Sequence, residues 1–200
     1  MCECSYPGCV EFEPLRNTSC ADFPGVLNGD FATYTGADNT DYFELTAGST
    51  DLTGWTIAAK VMRVKSGFIA QGSPMAISGS WFISLEGTGG GSISTTLTGM
   101  QIGSEYTVTW YERSRTDLQP RELVVKTGDC SSGVDVSALH IVPATWGQIS
   151  RSFVASAASE VLCFTTSGGS AEGSVFLDGI TAVKSGDDGI YWSAASVCID

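Results

Sequence analysis

The sequence contains few charged residues, and basic residues are the scarcest of them. Charged side chains make up 16% of the 200 residues, and 10 Lys and Arg stand against 22 Asp and Glu, a formal net charge of −12. This charge repels a phosphate backbone and an anionic membrane surface. We therefore expect neither nucleic acid nor membrane as a partner, although an acidic balance also serves solubility alone.

Long apolar segments are missing as well. No apolar run approaches the roughly 18 residues of a membrane span, and no segment combines helical periodicity with helical length. The N-terminus, Met1–Cys4, lacks the basic and apolar regions of a signal peptide. Either the leader of an exported protein is missing from this chain or export follows another route, and the cysteines favour the first alternative.

Motifs of common enzyme classes are also missing. His140 is the single histidine, which excludes a metal cage built from several histidines, and its position inside an apolar stretch is typical of a structural residue. No G-x-S-x-G sequence occurs. Glu86, Glu112 and Asp117 stand in no hydrolase motif, although carboxylate pairs are defined by distance rather than by sequence. We expect no catalytic residue.

Cysteine, in contrast, is present in quantity. The seven cysteines are Cys2, Cys4, Cys9, Cys20, Cys130, Cys163 and Cys198. The first four follow the spacing C-x-C-x4-C-x10-C, which lacks the paired C-x2-C elements of a zinc site, so disulfides are favoured over zinc. Disulfides indicate an extracellular or cell-surface location. The odd count leaves one thiol free, or bonded to a partner protein or to a segment outside this chain.

Short strands separated by Gly, Ser and Asp turns fill the middle of the chain. The clearest is 105–113, where Tyr106, Val108 and Trp110 share one face. Other predicted strands are 54–59, 60–65, 81–85, 92–97, 122–126, 134–142, 149–155, 160–166 and 174–183. The pattern predicts an all-β sandwich of eight to ten strands over residues 26–184. Residues 1–25 are expected to form an irregular Cys-rich cap, and residues 185–200 a tail packed on the domain.

Several short motifs occur in a fixed order. They are Leu27-Asn28-Gly29-Asp30-Phe31, Ile83-Ser84-Leu85-Glu86-Gly87, Gly103-Ser104-Glu105-Tyr106-Thr107-Val108, Trp146 followed by Phe153-Val154-Ala155, and Leu177-Asp178-Gly179-Ile180. This order resembles the galactose-binding-domain-like jelly rolls of secreted plant cell-wall and bacterial surface proteins, a fold shared by many carbohydrate-binding modules. The resemblance implies a jelly-roll β-sandwich of two antiparallel sheets and a non-catalytic module that binds a glycan. A neutral glycan suits the acidic chain best.

The resemblance also implies a structural calcium between the first and last strands, where the family often holds one. Asp178 occupies the carboxylate position of the last strand. Many relatives carry an acidic residue after the Phe of the first motif; here Ala32 stands there, and Asp30 is the substitute ligand. A hard cation needs such oxygens. Alternatively, Asp178 caps a turn by accepting backbone hydrogen bonds.

Candidate ligand residues lie on the face of strand 105–113 that points away from Trp110. Tyr111 and Arg113 share that face, and Arg115 follows in the adjoining loop. The alternative is that this loop is simply solvent-exposed and binds no ligand. Trp55, Trp81 and Trp110 are expected in the core, and Trp146 is expected to pack rather than bind. Glu112 points inward by alternation, which indicates that the strand leaves the sandwich there.

A second function fits the same sequence. The unpaired cysteine and the lack of a motif-level site also suit a structural or adhesion β-sandwich that mediates protein–protein contacts in an extracellular assembly, with an intermolecular disulfide or a protein partner.

Overall fold

The structure is a computed structural model that describes residues 25–36, 40–69, 74–86, 90–115, 122–166 and 174–185. The predicted N-terminal cap, apart from its last residue, lies outside the described residues. The C-terminal tail beyond residue 185 and five of the seven cysteines lie outside them too. The domain boundaries drawn from the sequence therefore stay predictions.

The described part of the chain forms eleven strands, and several of them, such as Glu105–Ser114, alternate buried and partly exposed residues. They are β1 (Tyr42–Leu45), β2 (Thr56–Ile57), β3 (Val61–Lys65), β4 (Trp81–Glu86), β5 (Ser92–Thr98), β6 (Glu105–Ser114), β7 (Glu122–Thr127), β8 (Val134–Ile141), β9 (Gly147–Val154), β10 (Ser159–Thr166) and β11 (Ser174–Lys184). The ten predicted strands all form, although β2 covers only two residues of its predicted range. The additional strand β1 brings the number above the expected eight to ten.

The strands form two antiparallel sheets that pack face to face. The six-stranded sheet has the order β1-β3-β4-β11-β6-β9, and the five-stranded sheet has the order β2-β5-β10-β7-β8. One apolar core lies between them and draws on both, with Trp110, Phe164 and Leu177 fully buried. The predicted all-β jelly-roll sandwich of two antiparallel sheets is confirmed.

The first motif and the last strand meet at one point. Residues 27–30 form a turn, and Asn28 and Phe31 adopt positive φ angles of 59° and 55°. The backbone N–H of Ile180 donates to Gly29 O at 3.0 Å. A Cβ atom at Gly29 would lie 1.9 Å from Ile180 O, so the approach requires glycine. The side-chain amide of Asn28 bonds the carbonyls of Thr33 and Thr53, which fixes the turn.

A buried arginine attaches this turn to the sheet. Arg63, on β3, has no exposed surface, and its Nε donates to Phe31 O at 2.9 Å while one terminal nitrogen donates to Ala32 O at 3.1 Å. Its guanidinium carbon lies 3.7 Å from the centroid of the Trp81 ring, a cation–π contact. Trp81 was expected in the core; it is half-buried and serves as the platform for this cation.

A disulfide joins Cys130 to Cys163, across a sequence separation of 33 residues and with a Cα–Cα distance of 5.4 Å. It connects the turn after β7 to β10 in the five-stranded sheet. No helix in the described part of the chain is long and apolar enough to cross a membrane.

Candidate ligand-binding face

The outer face of the six-stranded sheet, which points away from the five-stranded sheet, has two unlike halves. On β3, β4 and β11 it carries Val64, Phe82 and Phe176, all fully buried. Phe68, Ala76 and Trp146 pack over these three side chains. We call this region the covered half.

The part of the outer face on β6 and β9 is polar; we call it the open half. Its outward residues are Thr107, Thr109, Tyr111 and Arg113 on β6 and Gln148, Ser150 and Ser152 on β9. The three β9 side chains are exposed, and those on β6 are partly exposed. Neighbouring hydroxyls pair across the strands, with 2.8 Å between Thr109 Oγ1 and Ser150 Oγ. The open half is therefore a hydroxyl-rich surface.

Tyr111 stands at the boundary between the two halves. It pairs with Gln148 of β9 on one side and with Asp178 of β11 on the other. Its ring lies over Gly179, where an added Cβ atom would be 3.1 Å from Tyr111 Cδ2. Gly179 has a φ of +56°, so a larger residue here would be strained and would also displace the ring.

The two arginines extend this boundary towards the end of β6. Arg113 pairs with Phe176, and its Nε is buried with no hydrogen-bond partner within the described residues. Arg115 follows the last residue of β6, where its N–H donates to Ser174 O at 3.0 Å. The predicted ligand residues Tyr111 and Arg113 thus share one face, and Arg115 follows them along the chain.

A β-bulge places Asp178 beside Tyr111. From Asp178 to Thr181, β11 advances three residues while β6 advances two, from Tyr111 to Thr109. Asp178 has no exposed surface, and its Oδ2 accepts hydrogen bonds from the N–H groups of Ile77 at 2.6 Å and Ser78 at 2.9 Å. Its Oδ1 accepts from the N–H of Gly179 at 2.7 Å. These bonds are those expected of a turn-capping carboxylate, the alternative to calcium binding.

The pKa of Asp178 depends in part on Asp30, the second predicted metal ligand. Burial raises the pKa of Asp178 to about 6, three backbone N–H groups oppose this rise, and the negative charge of Asp30 adds to it. Asp30 Oδ2 lies 3.6 Å from the position of a Cβ at Gly79, next to Ser78. The two carboxylates therefore converge on segment 77–79.

This donor set fits calcium only in part. Calcium takes six to eight oxygen ligands, and two carboxylates supply a minority of them. Within the described residues, no group of three or more His, Cys, Asp or Glu side chains is placed to hold a metal ion. Backbone carbonyls and water would have to complete the site.

Trp146 behaves as the sequence predicts and packs. Its ring centroid lies 6.0 Å from that of Phe82 and 6.5 Å from that of Phe176, and its Nε1 donates to Met75 O at 2.8 Å. Trp146 thereby covers the side of the covered half that adjoins the open half. Trp55 and Trp110 are core residues, as expected, with 5% and 0% exposure.

Gln148 is the site residue that sequence reasoning missed. It lies directly opposite Tyr111 because β9 begins at Gly147, before the predicted start at residue 149. The alternation of Gln148, Ser150 and Ser152 with Ile149 and Phe153 would have supported the earlier start. Ser78 was missed because its contact with Asp178 spans 100 residues of chain.

Glu112 corrects one expectation. It points inward as predicted, but β6 does not leave the sandwich there, since the strand continues to Ser114. The carboxylate bonds His140 and Trp110 instead.

Ser137 lies on the other side of the same histidine, with its Oγ 3.3 Å from His140 Nδ1. Ser137, His140 and Glu112 therefore follow one another in the order of a hydrolase triad. However, Ser137 is only 6% exposed, and His140 Nδ1 also lies 3.1 Å from Ala138 O.

The fold is that of the jelly-roll carbohydrate-binding modules. The chain is similar to the CBM22-1 xylan-binding domain from Paenibacillus barcinonensis Xyn10C, with a TM-score of 0.50 and 17% identity, covering 74% of this chain and 97% of that domain. It is also similar to TmCBM61, solved in complex with β-1,4-galactotriose, with a TM-score of 0.44 and 12% identity over 80% of this chain and 94% of that one. At 17% identity, the likeness to the xylan-binding domain concerns the fold alone.

Sequence comparison gives the family. Residues 25–176 match DUF642, described as a protein of unknown function, and the chain belongs to this family. It is also 31% identical over 175 residues to Halomucin of Haloquadratum walsbyi, a match that covers 81% of this chain. The chain spans about 2% of the length of Halomucin.

Proposed function

We propose that the protein is a non-catalytic carbohydrate-binding module of a secreted or cell-surface protein, and that a neutral glycan binds at the open half beside Tyr111. The observation that carries the proposal is the joint presentation of Tyr111, Arg113 and Gln148 on one hydroxyl-rich sheet face. An aromatic ring packs against the C–H face of a pyranose, and planar polar groups pair with its hydroxyls.

Two further observations support this proposal. The fold is shared with a domain that is described as xylan-binding. The net charge of −12 disfavours strongly anionic polysaccharides, and the hydroxyls of the open half suit an uncharged ligand.

A glycan array of neutral polysaccharides, followed by calorimetry on the best ligand, tests the proposal. Tyr111→Ala and Gln148→Ala should each lower the affinity at least about tenfold, or ~1.4 kcal/mol. Thr96→Ala is the matched control, because Thr96 is exposed on β5 of the other sheet. No hit on the array, or equal affinity of Tyr111→Ala and wild type, would refute the assignment.

Calcium between Asp30 and Asp178 is part of the proposal. Support comes from the negative charge of Asp30, which adds to the raised pKa of Asp178, because a cation between the two carboxylates would relieve their repulsion. We expect calcium to raise the melting temperature of the wild type and to leave that of Asp30→Asn unchanged. A wild type that melts at the same temperature in calcium and in chelator contradicts this part alone.

A structural or adhesion domain remains the second candidate. The edge strand β8 favours it, because Val134, Leu139 and Ile141 are exposed by 72%, 52% and 65%. This function predicts a tight or disulfide-linked oligomer. Light scattering and non-reducing electrophoresis of the full chain would reveal it, and a clean monomer speaks against it.

A further inference from the structure

A buried carboxylate connects the two sheets of the sandwich. Glu112, on β6 of the six-stranded sheet, has no exposed surface. Its Oε2 accepts a hydrogen bond from Trp110 Nε1 at 2.8 Å. His140 Nε2 lies 2.9 Å from Oε1 and 3.0 Å from Oε2 of the same carboxylate. Because His140 belongs to β8 of the five-stranded sheet, this contact spans the core.

The strand that carries His140 lies at a sheet edge and pairs irregularly with its neighbour. β8 is the edge of its sheet, and its pairing with β7 is interrupted by two register shifts, between Leu123 and Val125 and between Val125 and Lys126. Its exposed apolar side chains, described above, contribute little burial. Val136 anchors the first half of β8 in the core, and His140 anchors the second half through Glu112.

Protons reach this contact from solvent. The side chain of His140 is 27% exposed, whereas that of Glu112 is 0% exposed. A protonated imidazole forms a charged hydrogen bond with the buried carboxylate, which is stronger than the bond from a neutral ring. When His140 loses its proton, the buried carboxylate of Glu112 retains only neutral hydrogen-bond donors. A desolvated charge without a charged partner costs free energy.

We propose that Glu112 and His140 form a proton-operated clamp, in which protonated His140 holds the second half of β8 against the six-stranded sheet and deprotonation loosens it. The proposal concerns the attachment of β8 and stands independently of the glycan site.

The charged surroundings of His140 determine the direction of the effect. On β6, the hydrogen bond that the Glu112 carboxylate accepts from His140 is the largest cause of a raised His140 pKa, and the charge of Glu112 adds to it. Burial and the positive charge of Arg151 on β9 oppose the rise, and on β7 the opposing residue is the apolar Leu123. A group with a raised pKa in the folded state binds protons more tightly there than in the unfolded chain. The stabilisation is therefore complete below about pH 6.5 and is lost as the pH rises through the folded-state pKa.

Nuclear magnetic resonance of the full chain tests the clamp, because the single histidine gives one assignable imidazole. We expect a His140 pKa above 6.5 that falls in Glu112→Gln and rises in Arg151→Gln. We also expect hydrogen-exchange protection factors of residues 137–141 to fall about tenfold or more between pH 5.5 and 8.5 in the wild type. The same amides in His140→Gln should show no such fall, and β10 serves as the internal control.

Two results would overturn the clamp. One is a His140 pKa at or below 6.5 in the wild type. The other is a β8 protection pattern that changes with pH equally in the wild type and in His140→Gln. Should Glu112→Gln fail to fold, the Arg151→Gln shift still decides the electrostatic part, since Arg151 is exposed at the sheet edge.

Discussion

The covered and open halves of the outer sheet face share one pleat and one set of hydrogen-bonded strands, yet they have opposite characters. On the covered half, Val64, Phe82 and Phe176 are buried beneath Phe68, Ala76 and Trp146. On the open half, Thr109 and Ser150 pair their hydroxyls at the surface. The outward positions of β11 and β6 are adjacent, so the change occurs within one strand spacing.

The difference shows that a sheet face acquires its role from side chains and covering segments rather than from the strands. The apolar residues Val64, Phe82 and Phe176, one on each of three neighbouring strands, require a cover, which the segment between β3 and β4 and the residue before β9 supply. Small hydroxyl residues need none and leave the face free for a ligand. Tyr111 and Asp178 lie where one half ends and the other begins, beside the site at which we propose that a glycan binds.

The largest loss of stability is expected from removing a buried side chain of the covered half. Phe176→Ala removes a fully buried ring that contacts Phe82 and Trp146, and we expect the unfolding free energy to fall by about 3–5 kcal/mol. Thr109→Ala on the open half should change it by less than ~0.5 kcal/mol. Urea denaturation of both variants measures the contrast, and equal losses would show that the two halves do not differ in stability.

An intermediate change in stability is expected at the boundary between the covered and open halves, where Asp178 titrates. Because its folded-state pKa of about 6 lies above the ordinary 3.8, the folded protein binds the proton more tightly. Stability should therefore fall as the pH rises from about 4 to about 7, by on the order of 2 kcal/mol. The difference in unfolding free energy between wild type and Asp178→Asn, measured in chelator, isolates this titration. A difference that stays constant over that range would contradict the assignment.

The smallest difference in stability between the two halves is expected for substitutions that keep an aromatic ring, at Trp146 and at Tyr111. Trp146→Phe keeps an aromatic cover but removes the hydrogen bond to Met75 O, and we expect a loss of about 1 kcal/mol. Tyr111→Phe, the matched change on the open half, should cost less than ~0.5 kcal/mol in stability. Thermal melts of the two variants side by side suffice, and a larger loss for Tyr111→Phe would reverse the comparison.

Much of the fold was predictable because strand alternation is a local property. The run from Tyr106 to Arg113 identifies β6 and separates its inward Trp110 from its outward Tyr111. Strand β1, in contrast, was missed, because Tyr42–Leu45 is short, lies at a sheet edge and shows no clear alternation. The candidate site was only half predictable. Tyr111 and Arg113 share a strand, but Gln148 reaches Tyr111 through the pairing of β6 with β9, and Ser78 reaches Asp178 through a hydrogen bond across 100 residues of chain.

By itself, the sequence determined the all-β class, the inward and outward faces of its strands, and the positions of the turns, since these depend on residues within a few places of each other. Only the tertiary structure decided that Gly29 meets Ile180, that Glu112 meets His140 across the core, and that Asp178 lies beside Tyr111. Such contacts follow from the order in which strands pair, and that order is set by burial over the whole chain rather than by any local pattern.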